Sequence, residues 1–421
     1  MKQRIAIIGT GIAGLTTARL LHPHHDIQVF EQNDYIGGHT NTRDVTIDGR
    51  TWGVNTGFIV YNDWVYHNFN KLMAPLAVNR EPTEMSFSVR DDASGLEYNG
   101  HNLDTLFAQR KNLLNPRFLG MIRDILRFNK ESLEDLDAGK LTPEMTLGEY
   151  FQQKGFGKTF IRKYIVPMGA AIWSSGETDM EAFPALFFVR FFKNHGLLSV
   201  KNRPQWYVIS GGSRAYVAPL TEPFKDRIHL NRGVTRVERD ANGVTLTFGD
   251  GQTERFDQVV FACHSDQALA MLAEPTDDER DILGALPYSN NEVVLHTDET
   301  LLPKHRKAWA AWNYHIPRNP DEAVGLTYNM NILQNFNDAP VTFCVTLNRT
   351  SDIDPSKIID RYNYAHPVFT KAGIDAQNRY EQIGNQNRTH FCGAYWFNGF
   401  HEDGVNSALR VASSFGVEPW H

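Results

Sequence analysis

The chain has 421 residues, 41% hydrophobic and 22% charged, enough for two or three domains' worth of core and for burying a large cofactor. A net charge of −7 at pH 7 and the lack of any dense Lys/Arg run leave no electrostatic footprint for nucleic acid. Three scattered cysteines, Cys263, Cys344 and Cys392, form no CxxC pair, which argues against a disulfide framework or a metal site and for a reducing cytoplasm.

In chain order, Arg4 to Ile8 is an apolar, β-branched run that reads as a buried strand. It feeds Gly9-Thr10-Gly11-Ile12-Ala13-Gly14, and Leu15 to Leu21 then carries helical periodicity. In such a strand–turn–helix unit Gly9 permits the tight turn, Gly11 lets the backbone approach a pyrophosphate, and Gly14 lets helix and strand pack closely. The phosphates rest on the positive end of the helix. Lys2 and Arg4 before the apolar stretch imitate a signal peptide, but the nucleotide fingerprint lies inside that stretch, so no signal is expected. A second strand, Asp26 to Phe30, ends at Glu31, where a carboxylate accepts hydrogen bonds from ribose hydroxyls and disfavours a 2′-phosphate.

Asn33 to Thr42 holds a second glycine turn, Gly37-Gly38, and Asp48-Gly49 signals a hairpin leading into Trp52 to Asn62. Leu103 to about Leu136 and Leu147 to about His195 have helical spacing. Gln205 to Arg214 contains a third glycine pair, Gly211-Gly212. Arg227 to Leu230, Val234 to Arg239 and Val244 to Phe248 read as strands, the last two joined by a turn at Asp240-Ala241-Asn242-Gly243 whose Asn-Gly pair is a hairpin signal. Asp257 to Ala262 is another buried strand, and Glu292 to Asn348 alternates strand-like runs with loops, as a second, antiparallel sheet would. Thr389 to Ala394 ends a strand in glycine, and His401 to Leu409 opens a helix. No stretch of 18 apolar residues occurs, so no spanning helix and at most peripheral membrane contact are expected.

These motifs together resemble the flavin amine oxidase, protoporphyrinogen oxidase and phytoene desaturase superfamily over nearly the whole chain. The resemblance implies an α/β fold: a Rossmann-like FAD-binding domain of the glutathione-reductase-like type, built from residues 1–75, 205–285 and 385–421. Residues 76–204 and 286–384 would form a mixed α+β substrate domain with a helical cap. Non-covalent FAD is implied, because no cysteine stands at the flavin-linking position. The implied cofactor contacts are Gly9, Gly11, Ile12, Ala13, Gly14, Glu31, Gln32, Gly37, Gly38, His39, Thr40, Thr42, Gly57, Phe58, Ile59, Val234, Ala262, Gly393, Ala394, Gly404, Val405 and Asn406. The chain departs from the family at four of its positions: His39 replaces an Arg, Asn55 an Asp, Ala394 an acidic residue, and Glu292 the Lys held near the flavin N5 in many amine oxidases.

In these flavoenzymes the flavin accepts a hydride while the protein supplies position and water exclusion. The candidate side chains are Tyr395, Trp396 and His401, between two expected flavin turns. The nearest branch by resemblance is a bacterial group of amine-oxidase-like proteins associated with cyclopropane fatty-acid synthases, which implies an apolar, acyl substrate and a functional link to a fatty-acid-modifying methyltransferase. Three readings follow: an oxidoreductase desaturating, oxidising or isomerising an apolar substrate, a flavin amine oxidase, and an FAD-binding partner without turnover.

Overall fold

The strand Arg4–Ile8 alternates its side chains between two cores: Ile5 and Ile7 enter one, Ala6 and Ile8 the other, all of them buried. It pairs in parallel with Asp26–Phe30 on one side and Gln258–Phe261 on the other. Ile228–His229 and Thr389–Phe391 complete a five-stranded, wholly parallel sheet. Such a sheet needs both faces covered. The helices Ile12–Leu21 and His401–Ser414 cover the first, so closely that a Cβ on Gly404 would stand 2.7 Å from Ile12 Cγ2. The other is covered by the antiparallel insertion Val234–Asp240, Gly243–Phe248 and Thr253–Phe256, with the helices Ser265–Met271 and Asp277–Gly284. In that insertion the expected turn is present, but its two loop residues are Ala241 and Asn242, and Asp240 Oδ1 holds it by accepting the N–H groups of Asn242 and Gly243.

This computed structural model describes residues 2–173, 177–318 and 325–418; residues 174–176 of the second helical block and 319–324 of the expected second-sheet run lie outside the described residues. The second sheet is larger than expected and not wholly antiparallel. Its seven strands run, in spatial order, Ile358–Pro367, Tyr288–His296, Cys344–Leu347, Gly325–Asn329, Trp312–Ile316, Phe87–Asp91 and Leu96–Asn99, with the pair Trp312–Ile316 and Phe87–Asp91 parallel. Ile358–Pro367 is an edge strand with a mostly half-exposed, polar sequence, which conceals its pairing.

The first helical block is divided into Leu103–Leu106, a 3-10 turn Arg110–Leu114 and the long helix Pro116–Asp137. Pro116 cannot continue a preceding helix but suits a first helical position, and the Asn115 side chain caps it by accepting the Arg117 N–H. The second block packs Phe151, Phe160, Phe188 and Phe192 against Phe128 of that helix in one aromatic core beneath the second sheet. Among the described residues no helix is long and apolar enough to cross a membrane.

Candidate FAD site

The parallel strands deliver Gly9, Glu31, Ala262 and Cys392-Gly393 to one edge of the main sheet. Gly9 adopts φ +108, and a Cβ there would stand 2.7 Å from Ala262 O; a Cβ on Gly14 would overlap Gly9 O. Gly11 differs, since a Cβ on it would meet nothing within 4 Å. The helix Ile12–Leu21 therefore opens on free space, and its N-cap, Gly11, offers no side-chain bond. Its first N–H groups are left for an anion. Gly37 and Gly38, at φ +127 and +58, turn the chain back so that a Gly38 Cβ would lie 3.2 Å from Gly11 Cα. The two glycine turns thus form one cradle.

Glu31 is buried, and its Oε2 accepts the Thr10 N–H and O–H at 3.0 and 2.6 Å while its Oε1 accepts the Asn33 N–H and amide at 3.0 and 2.9 Å. It knits the glycine turn to the second strand, and a ribose hydroxyl would take the place of one of these donors. Replacing Glu31 by Ala should lower FAD occupancy of the purified protein, each charge-assisted bond being worth about 1.5–3 kcal/mol. Unchanged FAD-to-protein absorbance would exclude Glu31 from the ribose site. Val234 opens the insertion beside this strand end, where Arg232 N–H donates to Glu31 O and a Cβ on Gly233 would pack on the exposed Gln32 at 3.2 Å.

Past the cradle, the segment from His39 to Thr42 runs beside Thr56 to Phe58: the Phe58 N–H donates to His39 O at 2.8 Å and the Thr56 N–H to Asn41 O at 2.9 Å. A Cβ on Gly57 would overlap His39 O, and Ile59 is half-buried next to it. Asn55 is fully buried, its Oδ1 accepting from Ser213 N, Thr42 Oγ1 and Ser213 Oγ at 2.8–3.2 Å. Those three donors would equally serve a carboxylate, the residue expected there by resemblance. The imidazole of His39 packs near Tyr364, His366 and His264, with ring centroids 4.9, 5.6 and 6.3 Å away. Burial holds its pKa well below the usual value, the neighbouring His366, His264 and His401 reinforce this, and a hydrogen bond to the Ala365 carbonyl opposes it. Its buried Nε2 has no partner.

His401 is held rather than free. Its Nε2 lies 3.1 Å from Thr40 Oγ1 and 3.3 Å from Tyr216 OH, its ring stacks on Phe58 at 3.6 Å, and burial depresses its pKa to about 3. Neutral at pH 7, it ties the second glycine turn to the last helix. Tyr395 and Trp396 do not form the expected substrate-facing group: both are buried in the core under the main sheet, where Trp396 meets Tyr380 edge-on at 4.9 Å. Of that segment, Phe400 reaches the cap and stacks on Phe191 at 5.3 Å. The Gly393 N–H donates to Ser407 Oγ at 2.8 Å, beside the half-buried Ala394. Val405 is core, and Asn406 turns its side chain to accept from Asn68 Nδ2 at 2.8 Å. Glu292 is exposed, while its strand neighbours Asn291 and Val293 are buried.

Sequence reasoning missed several residues. Tyr216 and Glu402 are two, the latter capping the helix His67–Met73 by accepting the N–H groups of Asn68 and Phe69 at 2.9 and 2.7 Å. Others are Tyr364, which binds Asn41 and Thr56 at 2.9 Å each, and His366, 3.1 Å from Asn291 Nδ2. Tyr364 and His366 share a parity on their strand, a signal that alternation along Ile358–Pro367 could have supplied.

The model of the family described as flavin containing amine oxidoreductase matches residues 12–340. The chain belongs to this family. The oxidoreductase is 25% identical over 364 residues to the putative flavin-containing monoamine oxidase AofH of Mycobacterium tuberculosis, covering 80% of this chain and 74% of that one. Its fold is similar to that of the CLA-producing fatty acid isomerase from P. acnes, with a TM-score of 0.69, 15% identity and 98% of each chain covered. It is also similar to cyclohexylamine oxidase from Brevibacterium oxydans IH-35A (TM-score 0.70, 14% identity, 98% of each chain) and to a putative protoporphyrinogen oxidase from Exiguobacterium sp. 255-15 (TM-score 0.68, 17% identity, 99% of each chain). FAD is the cofactor of this flavin oxidoreductase. The cradle fits it: an uncapped helix N-terminus, a glycine whose missing Cβ leaves open space, and a buried imidazole nitrogen without a partner.

Proposed function

We propose that the enzyme oxidises, desaturates or isomerises an apolar, fatty-acyl substrate, with residues 1–75, 205–285 and 385–421 holding FAD and 76–204 and 286–384 enclosing the substrate. The observation that carries this reading is an aromatic cluster that joins the helical cap to Phe369 and Phe400 and includes Trp312 and Tyr328 of the second sheet. Phe187 stacks on Phe369 at 5.5 Å, Phe191 on Phe400 at 5.3 Å, and Trp312 meets Tyr328 edge-on at 5.0 Å. Phe187, Phe400, Trp312 and Tyr328 keep part of their surface exposed, so the cluster offers apolar surface for a ligand to cover. His195, stacked on Phe191 at 3.8 Å, is held neutral by burial, which lowers its pKa to about 4. A long acyl chain covering several hundred Å² of this surface would gain roughly 25 cal/mol per Å² before association costs.

FAD bound in the cradle would supply the hydride acceptor, and the chain's own residues would orient the substrate and keep water out. The isomerase among the similar structures is named for a fatty acid, which supports the acyl reading. The amine oxidases among the relatives support the alternative, but the residue at the family's lysine position, Glu292, is an exposed carboxylate. Anaerobic mixing of the holoenzyme with lipid and amine panels decides between them. Fatty acids should bleach or shift the visible flavin band and simple primary amines should not; rapid bleaching by an amine, with no response to any lipid, would reverse the assignment.

A further inference from the structure

Nine large hydrophobic side chains are exposed among the described residues, and five of them, Leu103, Leu113, Leu114, Leu119 and Leu126, fall between positions 103 and 126. Leu114 is 89% exposed and Leu103 74%, so these side chains stand clear of the protein. Scattered single exposed apolar residues need no explanation, but a cluster does. The cluster is also built. The 3-10 turn carrying Leu113 and Leu114 is anchored from beneath by the buried Asn112, whose amide donates to Gln109 Oε1 at 3.2 Å, and Gln109 in turn donates to Gly95 O at 2.9 Å. Pro116 and the Asn115 cap prevent the long helix from absorbing the turn. On that helix Leu119, Ile122, Arg123, Leu126 and Lys130 recur at the spacing of one face, while Phe118, Met121 and Phe128 are buried.

Charge selects the occupant. Lys111 and Arg117 flank the two leucines, are exposed, and have no carboxylate partner among the described residues. Arg123 is 72% exposed although it pairs with Asp124 Oδ1 at 3.3 Å, and Lys158 and Arg162 are exposed on the adjoining segment, whose Gly157 N–H donates to Asp124 Oδ2 at 2.9 Å. The carboxylates nearby are engaged: Asp104 by Arg110 and Lys307, Glu131 by Arg127 and Lys154, Glu134 by Lys130. Exposed leucines interspersed in sequence with exposed cations, on a chain of net charge −7, are complementary to an anionic lipid surface, with leucines at the acyl boundary and cations at the phosphates. A second copy of the chain is a poorer occupant, since a two-fold contact would set the same cations against each other.

We propose that the exposed surface of the turn and helix bearing Leu113, Leu114, Leu119 and Leu126 docks the enzyme peripherally on anionic lipid bilayers. This does not depend on the substrate being acyl, and its test involves no turnover. The holoenzyme is sedimented with vesicles of phosphatidylcholine alone and of phosphatidylcholine with phosphatidylglycerol, at low and high salt. It should bind the anionic vesicles, release with salt, and ignore the neutral ones. The Lys111→Glu/Arg117→Glu and Leu113→Gln/Leu114→Gln variants should each weaken binding about tenfold or more while retaining bound flavin and unchanged thermal unfolding. Equal binding by the variants, or none by the parent, would overturn the proposal. So would a concentration-dependent dimer that the leucine variant abolishes, with no vesicle binding, because the face would then be a self-association surface.

Discussion

Acidification to about pH 5 should unfold the enzyme, through its buried histidines rather than its ion-paired carboxylates. His195, His296 and His390, all outside the cofactor cradle, are depressed by burial to about 4. His296 shows the geometric reason. Its Nδ1 accepts the Asp298 N–H at 3.0 Å while its Nε2 lies 2.7 Å from Thr346 Oγ1, so a doubly protonated ring would set two donors against each other. His390 is buried with one nitrogen unpartnered and the other 3.2 Å from Ser414 Oγ. Since the unfolded chain binds these protons near pH 6.5 and the folded chain only near 4, stability falls as pH drops through 6.5 and the loss is complete below 4. At pH 5 the three cost roughly 2 kcal/mol each, together about 6 kcal/mol against a typical total of 5–15 kcal/mol. His366 and His401, at about 4 and about 3 through burial, act in the same direction. Asp403 opposes them: burial raises its carboxyl to about 7, so the folded chain takes up that proton more readily than the unfolded one and regains about 2 kcal/mol at pH 5. The ion-paired carboxylates act lower. Burial raises Asp298, but the N–H groups of Asp354 and Thr300, the Thr300 hydroxyl and Lys357 outweigh it and hold the pKa at about 2, so its contribution is lost only below 3.8. Near-ultraviolet circular dichroism against pH should place the midpoint between 4 and 6.5, and His296→Gln, which can keep both hydrogen bonds without titrating, should move it to lower pH. A parent midpoint below 4 would contradict this account.

The main sheet is legible in the sequence because each strand is short, buried on both faces and bounded by glycine or a charged residue, as Arg4–Ile8 and Gln258–Phe261 illustrate. The family membership and the FAD cofactor follow from the same glycine turns and are borne out by the family match. The second sheet is only partly legible. Its edge strand Ile358–Pro367 carries Asp360, Arg361, Asn363 and His366, polar residues that mask the alternation of Tyr362, Tyr364 and His366 until pairing with Tyr288–His296 orders them. Tyr395 and Trp396 mislead for the opposite reason. They lie between two glycine-marked turns, yet the chain after Gly393 folds under the sheet, where Gln377 Nε2 donates to the Tyr395 and Phe397 carbonyls at 2.8 and 2.6 Å. A side chain at the end of the helix Lys371–Gln377 thus holds that segment by its backbone carbonyls, and sequence spacing contains no trace of it.

Replacing Gly11 by Ala and Gly14 by Ala should both cost FAD, but only the second should cost the fold. A methyl on Gly14 would overlap the Gly9 carbonyl and stand 3.1 Å from Ala262 Cβ, so helix and sheet would have to separate. Overpacking of that kind costs about 1–3 kcal/mol, and more when the obstacle is backbone. Gly11 is at φ −64 and ψ 174, a conformation open to any residue, and its methyl would meet no protein atom within 4 Å. The apo chain should therefore unfold at the parent's temperature when Gly11 is Ala. The space over Gly11 is what a pyrophosphate needs, so the same methyl should press on the cofactor and weaken FAD binding by about 5- to 150-fold, the affinity equivalent of about 1–3 kcal/mol. Calorimetry of the apo forms and FAD titration of each variant separate the two effects. Parent-like FAD affinity in Gly11→Ala would move the pyrophosphate away from the helix N-terminus, while a destabilised apo Gly11→Ala chain would mean that the open space over this residue is closed by protein in solution.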